Sequence, residues 1–94
     1  MPEITIYTKP WCGYCWRAKR LLDSKGVAYH ELDVTEDGRI EAEMISRSGR
    51  TTAPQIFVDD VHIGDSNRLQ ELEREGRLNV ILEQGPDAGA RGNG

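Results

Sequence analysis

With 94 residues the chain has room for one small domain with a single modest core, and none for a second module. Hydrophobic residues make up 37% and charged residues 30%, the balance of an ordinary globular chain. A formal net charge of −4 argues against nucleic acid and anionic membrane as partners, and no apolar run approaches the length of a membrane span.

Residues 3–8 read as a first strand, rich in β-formers (Ile4, Ile6, Tyr7) and entered directly from Met1, Pro2 and Glu3, with no apolar signal-peptide core before it. Pro10 lacks an N–H and restricts Lys9, which stops the strand. A helix is expected from about Gly13 to Lys25. Tyr14, Ala18, Leu21 and Leu22 lie on its inner face, and Gly26 is its stop. Residues 27–34 form the second expected strand. Thr35 is the expected N-cap of a second helix, with Glu36 and Asp37 at its positive end, an apolar stripe of Ile40, Met44 and Ile45, and an end near Ser48 and Gly49.

Residues 55–58 and 61–63 flank Asp59 and Asp60 and read as a hairpin. A third helix is expected from Ser66 to Glu75, with Leu69 and Leu72 inward and Gly76 as its stop. Leu78, Val80, Ile81 and Leu82 then form a last short turn over the base of the domain. From Gly85 the tail has nothing apolar enough to pack, so the expected domain is 1–84 and residues 85–94 are expected to be disordered. The order is β-α-β-α-β-β-α. This is an α/β plan with a four-stranded mixed sheet, a right-handed parallel crossover and three helices.

Both cysteines of the chain, Cys12 and Cys15, lie between the first strand and the first helix. A lone Cys-x-x-Cys in that position marks a thioredoxin-like redox site. Cys12 precedes the helix, where unpaired N–H groups and the positive end of the macrodipole favour a thiolate, and Lys9 adds a second positive charge. Cys15, in the first turn, is close enough to close a small disulfide ring. Two cysteines in such a pair suggest working thiols in a reducing compartment, hence a cytoplasmic location. A zinc half-site or a structural staple is the alternative, although no second cysteine pair is present to complete a zinc site.

On these residues the chain resembles a bacterial dithiol glutaredoxin over about residues 3–82. The matching pieces are Tyr7-Thr8-Lys9, Cys12-Gly13-Tyr14-Cys15, residues 47–52 (Arg-Ser-Gly-Arg-Thr-Thr), residues 53–58 (Ala-Pro-Gln-Ile-Phe-Val) and His62-Ile63-Gly64. The resemblance implies a thioredoxin-like fold and a glutathione-dependent thiol–disulfide oxidoreductase acting on disulfide-bearing and glutathionylated proteins. In that reading Cys12 is the nucleophile and Cys15 its resolving partner. Pro54 is a cis-proline beside the site, and it turns the Ala53 backbone toward the cysteinyl part of glutathione. Lys9, Tyr14, Thr52, Ser66 and Asn67 complete the glutathione contacts.

Three departures from the family pattern stand out. Gly13 replaces the usual proline of the motif. Trp11 and Trp16 flank the cysteines. Asn67 and Arg68 stand where an acidic residue commonly meets the α-ammonium of glutathione, leaving Asp65 as a substitute. The resemblance carries an alternative function as well. Glutaredoxins lacking that proline can bind a [2Fe–2S] cluster between two protomers and two glutathiones, with Cys12 the protein ligand. The chain is accordingly expected to be a monomer unless a cluster bridges two copies.

Overall fold

The computed structural model describes residues 1–87. Its elements in chain order are β1 (Ile4–Thr8), α1 (Gly13–Ser24), β2 (His30–Asp33), α2 (Gly38–Ser48), β3 (Gln55–Val58), β4 (Val61–Gly64), α3 (Ser66–Arg74) and α4 (Leu78–Gln84). The four strands form one mixed sheet in the order β2-β1-β3-β4. β1 pairs parallel with β2 (Tyr7 opposite Leu32) and antiparallel with β3 (Ile6 opposite Ile56). The β3–β4 hairpin is antiparallel, with a register shift between Ile56 and Phe57, and turns at Asp59 and Asp60 as expected.

The period of two along the strands divides the core. Ile4, Ile6, Ile56 and Val58 point to one face, where Ala18 and Leu22 of α1, Leu69 and Leu72 of α3, and Leu78, Ile81 and Leu82 of α4 cover them. Tyr7 and Phe57 point to the other face and pack with Val34 and Met44 under α2. The ring of Tyr7 meets that of Phe57 edge-on, with centroids 5.6 Å apart, and the Arg47 guanidinium lies 4.1 Å from the Phe57 ring centre. The Tyr7 hydroxyl donates to Glu43 and accepts from Arg47, so this buried polar tip is satisfied.

Four expectations need correction. Tyr14, expected on the inner face of α1, is 56% exposed, and Cys15 is buried beside Ala18 and Leu22 instead. The last apolar segment is a full helix, α4, so the sheet carries four helices rather than three. Leu78, Ile81 and Leu82 face the core at i, i+3 and i+4, and burial holds a seven-residue helix whose N-cap, Arg77, makes no side-chain capping bond. The second helix is capped by Asp37, which accepts from the Arg39 N–H at 2.8 Å, and not by Thr35. The Thr35 N–H and hydroxyl are both held by Asp33 Oδ1, at 2.8 and 2.6 Å, in a local Asx turn. β2 is shorter than residues 27–34, because only His30–Asp33 pair with β1. Of the tail expected to be disordered, Gly85 donates its N–H to the Ile81 carbonyl, and residues 88–94 lie outside the described residues.

Gly64 closes β4 at φ +141°, and a Cβ there would sit 2.7 Å from Arg68 Cβ and 2.8 Å from Arg68 Cγ. That φ belongs to glycine, and Cβ of Arg68 cannot rotate away. Gly64→Ala is therefore expected to cost about 2 kcal/mol or more. The urea midpoint would report it, and an unchanged midpoint would contradict the strain.

Candidate active site

The site forms where β1 hands over to α1. Cys12 is the N-cap residue of α1, in extended conformation (φ −112°, ψ 108°), and its Sγ accepts from the Cys15 N–H at 3.2 Å. A sulfur in that position satisfies one of the helix's free donors and meets the positive end of its dipole. Cys12 is partly exposed while Cys15 is 2% exposed, and both are free thiols. Burial first, and then the neighbouring Cys12 sulfur, push the Cys15 thiol up to about 12, against a backbone hydrogen bond from Lys9 and the charge of Lys19. One sulfur thus faces solvent at a helix start, and the other is held protonated behind it.

The loop opposite arrives from α2. Gly49 ends α2 in left-handed conformation (φ 72°), and the Ala53–Pro54 peptide bond that follows is cis, as expected. The Ala53 carbonyl lies 3.8 Å from Cys12 Sγ, within reach of its S–H. The loop is anchored by Gln55, which is fully buried. Its amide donates to the Thr52 carbonyl at 3.0 Å, and its Oε1 is bound by His62 Nε2 at 2.7 Å. Burial, and next the positive charge of Arg50, hold His62 below the usual imidazole range, which keeps it neutral. This His62–Gln55–Thr52 chain was not part of the sequence expectation, because neither His62 nor Gln55 lines the cleft it braces.

All seven residues expected to contact a ligand (Lys9, Tyr14, Thr52, Ala53, Pro54, Ser66 and Asn67) line one cleft of about 510 Å³ that includes Cys12. Trp11 and Gly13 line it too, as does Asp65, the acid expected to substitute for the missing partner of the α-ammonium. Its position just before a helix also suits a cap. It is the N-cap of α3, accepting from the Arg68 N–H at 2.9 Å, and its other oxygen lies 3.8 Å from Arg50. Ser66, at the start of α3, is 1% exposed, and its Oγ finds no partner among the described residues.

A parallel β-α-β unit with a dithiol at the helix start and a cis-proline facing it defines a thioredoxin-like redox protein. The comparisons narrow the class. The Glutaredoxin family model matches residues 4–63. Glutaredoxin 3 of Escherichia coli K12 is 49% identical over 83 residues, covering 88% of this chain and 100% of that protein. The solution structure of glutaredoxin from Brucella melitensis superposes with a TM-score of 0.81 at 46% identity, covering 92% of this chain and 94% of that one. A buckwheat glutaredoxin–glutathione complex superposes with a TM-score of 0.81 at 29% identity, covering 93% and 81%. The chain belongs to the glutaredoxin family, and its dithiol is that of a thiol–disulfide oxidoreductase. No helix among the described residues is long and apolar enough to cross a membrane.

Proposed function

We propose that the chain uses glutathione to reduce protein disulfides and glutathione mixed disulfides, with Cys12 as the attacking sulfur. The observation that carries this reading is the position of Cys12 Sγ. It caps α1, it is hydrogen-bonded by the Cys15 N–H at 3.2 Å, and it opens into the cleft floored by Ala53 and Pro54. The Cys12 thiolate attacks the glutathionyl sulfur of a mixed disulfide and releases the partner thiol. A second glutathione then attacks the Cys12–glutathione disulfide and regenerates the thiolate. Cys15 attacks instead when the substrate is a protein disulfide, giving up its proton as the internal disulfide closes.

The cleft supports each part of the tripeptide. The Ala53 backbone, turned by the cis bond, pairs with the cysteinyl unit, with Thr52 beside it and Tyr14 as a wall. Lys9 meets the glycyl carboxylate. The start of α3, where the buried Ser66 hydroxyl has no other partner and Asn67 adds a backbone donor, suits the γ-glutamyl carboxylate. Asp65 is the remaining acid for the α-ammonium. The buckwheat relative solved with glutathione supports use of the same ligand. A reducing cytoplasm is the compartment that would keep the pair as dithiol. A coupled assay with glutathione, glutathione reductase and a glutathionylated protein tests the proposal, and failure of NADPH consumption above the uncatalysed rate would overturn it.

A second reading, a glutathione-dependent [2Fe–2S] cluster shared by two protomers, is favoured by Gly13. It is the first residue of α1, exposed, and a Cβ there would meet nothing within 4 Å. No packing demands glycine at this position, and its N–H is left free beside Cys12. Among the described residues no group of three or more His, Cys, Asp or Glu side chains could hold a metal ion. The donor set therefore fits only a shared site, in which each copy gives Cys12 and glutathione gives the rest, and the cluster would supply electron or cluster transfer. Gly13→Pro is expected to fold normally, since proline suits a first helical position, and to lose at least about 80% of the visible absorbance gained on anaerobic reconstitution with iron, sulfide and glutathione. Equal absorbance in both proteins, or none in the wild type, would remove this reading.

A further inference from the structure

Cys12 stands where two clefts meet. The second, of about 500 Å³, shares Lys9, Trp11, Cys12 and Gly13 with the first but extends toward α1 and β2, past Trp16 and Lys19. If glutathione occupies the cleft at Pro54, as proposed above, the other half of a mixed disulfide needs a separate space that reaches the same sulfur. The second cleft is such a space.

On its border the charges of Lys9 and Lys19 balance those of Glu31 and Asp33, and two tryptophans stand beside them. Trp11 is held at φ 58°, a left-handed backbone rarely adopted by a bulky residue, with its indole fully in solvent. Trp16 is 56% exposed, and the Arg20 guanidinium lies 4.7 Å from its ring centre. Trp16 also borders a shallower hollow of about 400 Å³ that continues along α1 past Arg17 and Arg20. Neither arginine forms an ion pair among the described residues, whereas Lys19 is paired with Glu31 at 2.9 Å. An exposed tryptophan followed along α1 by two arginines without ion pairs among the described residues, leading away from a reactive sulfur, has the composition of an interface anchor.

We infer that the Trp16–Arg17–Arg20 strip of α1, entered through this second cleft, docks the polypeptide half of a mixed disulfide and selects acidic segments around the partner cysteine. Trp16 covers an apolar side chain of that segment, and Arg17 and Arg20 meet its carboxylates. In the step that follows, the bond between Cys12 and the glutathionyl sulfur forms and the bond between that sulfur and the partner breaks. The partner leaves as a thiolate and takes a proton from solvent, so no further reactant is needed. This inference rests on the glutathione reading of the first cleft.

Two glutathionylated peptides of equal length, one with glutamates and one with lysines flanking the cysteine, test it against the small mixed disulfide of glutathione and mercaptoethanol. At low salt, wild type is expected to turn over the acidic peptide with kcat/KM about tenfold above the basic one. Arg17→Glu together with Arg20→Glu should invert that preference. Trp16→Ala should lower kcat/KM about fivefold for both peptides. The small disulfide, too short to reach the strip, should change less than twofold. Equal use of both peptides by wild type, or equal losses on peptide and small disulfide, would overturn the strip. A non-reactive acidic peptide, with serine for cysteine, separates the two readings without turnover. Its salt-sensitive binding, seen as a shift of the Trp16 indole resonance, supports the strip even if the reductase assay fails. Absence of binding alongside turnover of the small disulfide overturns the strip alone.

Discussion

Cys12→Ser is expected to lower reduction of a glutathionylated substrate by at least about 10³-fold, to the uncatalysed rate, because exchange at sulfur needs an attacking thiolate and a serine hydroxyl offers none at neutral pH. Cys15→Ser is expected to keep that activity within about fivefold while losing reduction of protein disulfides that must pass through an internal disulfide. The asymmetry follows from position. Cys12 Sγ caps α1 and opens to the cleft, whereas Cys15 is buried and pushed up to about 12, so it stays a thiol until Cys12 has been converted to a disulfide beside it. Removing the Cys15 side chain leaves its backbone N–H in place, and that N–H is what reaches Cys12 at 3.2 Å. The coupled assay, with iodoacetamide labelling and mass spectrometry to show which thiol reacts at pH 7, would check both halves. Activity surviving in Cys12→Ser, or alkylation of Cys15 ahead of Cys12, would reverse the assignment.

The largest loss of stability is expected from Phe57→Ala, about 3–5 kcal/mol. Phe57 is 1% exposed in the centre of β3. Its ring packs edge-on against Tyr7 at 5.6 Å and against His62 at 5.1 Å, with Arg47 at 4.1 Å on its face. Alanine would open a cavity beneath α2 and leave the Arg47 guanidinium without the ring it covers. For a domain of this size the loss corresponds to a fall in Tm of about 15–25 °C. Since a small domain holds only about 5–10 kcal/mol in all, much of the chain would be unfolded at 37 °C. Ile45→Ala on α2, where the side chain is 37% exposed, serves as the control and should cost less than about 1 kcal/mol. Thermal denaturation followed by far-UV circular dichroism decides this. A shift below about 5 °C for Phe57→Ala would mean that the cluster under α2 adds little.

Much of the site was legible in residues 8–15 because the chemistry there is local. A helix start, the N-cap position and a thiol at that cap are all set within one turn of chain, so Cys12 and Cys15 announce themselves by spacing alone. The hairpin at Asp59 and Asp60 and the glycine stops at Gly26, Gly49 and Gly76 were legible for the same reason: each depends on a few adjacent dihedrals.

What the sequence pattern misplaced depended on competition between neighbours or on burial. Thr35 had the chemistry of a cap, but Asp33 took its N–H and hydroxyl first and left the role to Asp37. α4 is too short, at seven residues, to declare a period, and it exists because Leu78, Ile81 and Leu82 join the core cluster beside α3. The hydrogen-bond chain from His62 through Gln55 to Thr52 joins three residues that only the β3–β4 pairing and the loop before β3 bring together. The sequence by itself determined that this is a dithiol redox protein of one small α/β domain, since a Cys-x-x-Cys at a strand-to-helix junction and the alternation of apolar residues are local properties. Only the tertiary structure decided how the site is enclosed. A cis-proline loop from the middle of the chain and the capped start of α3 meet around one sulfur because folding of the sheet, and no short-range preference, brings them within reach of it.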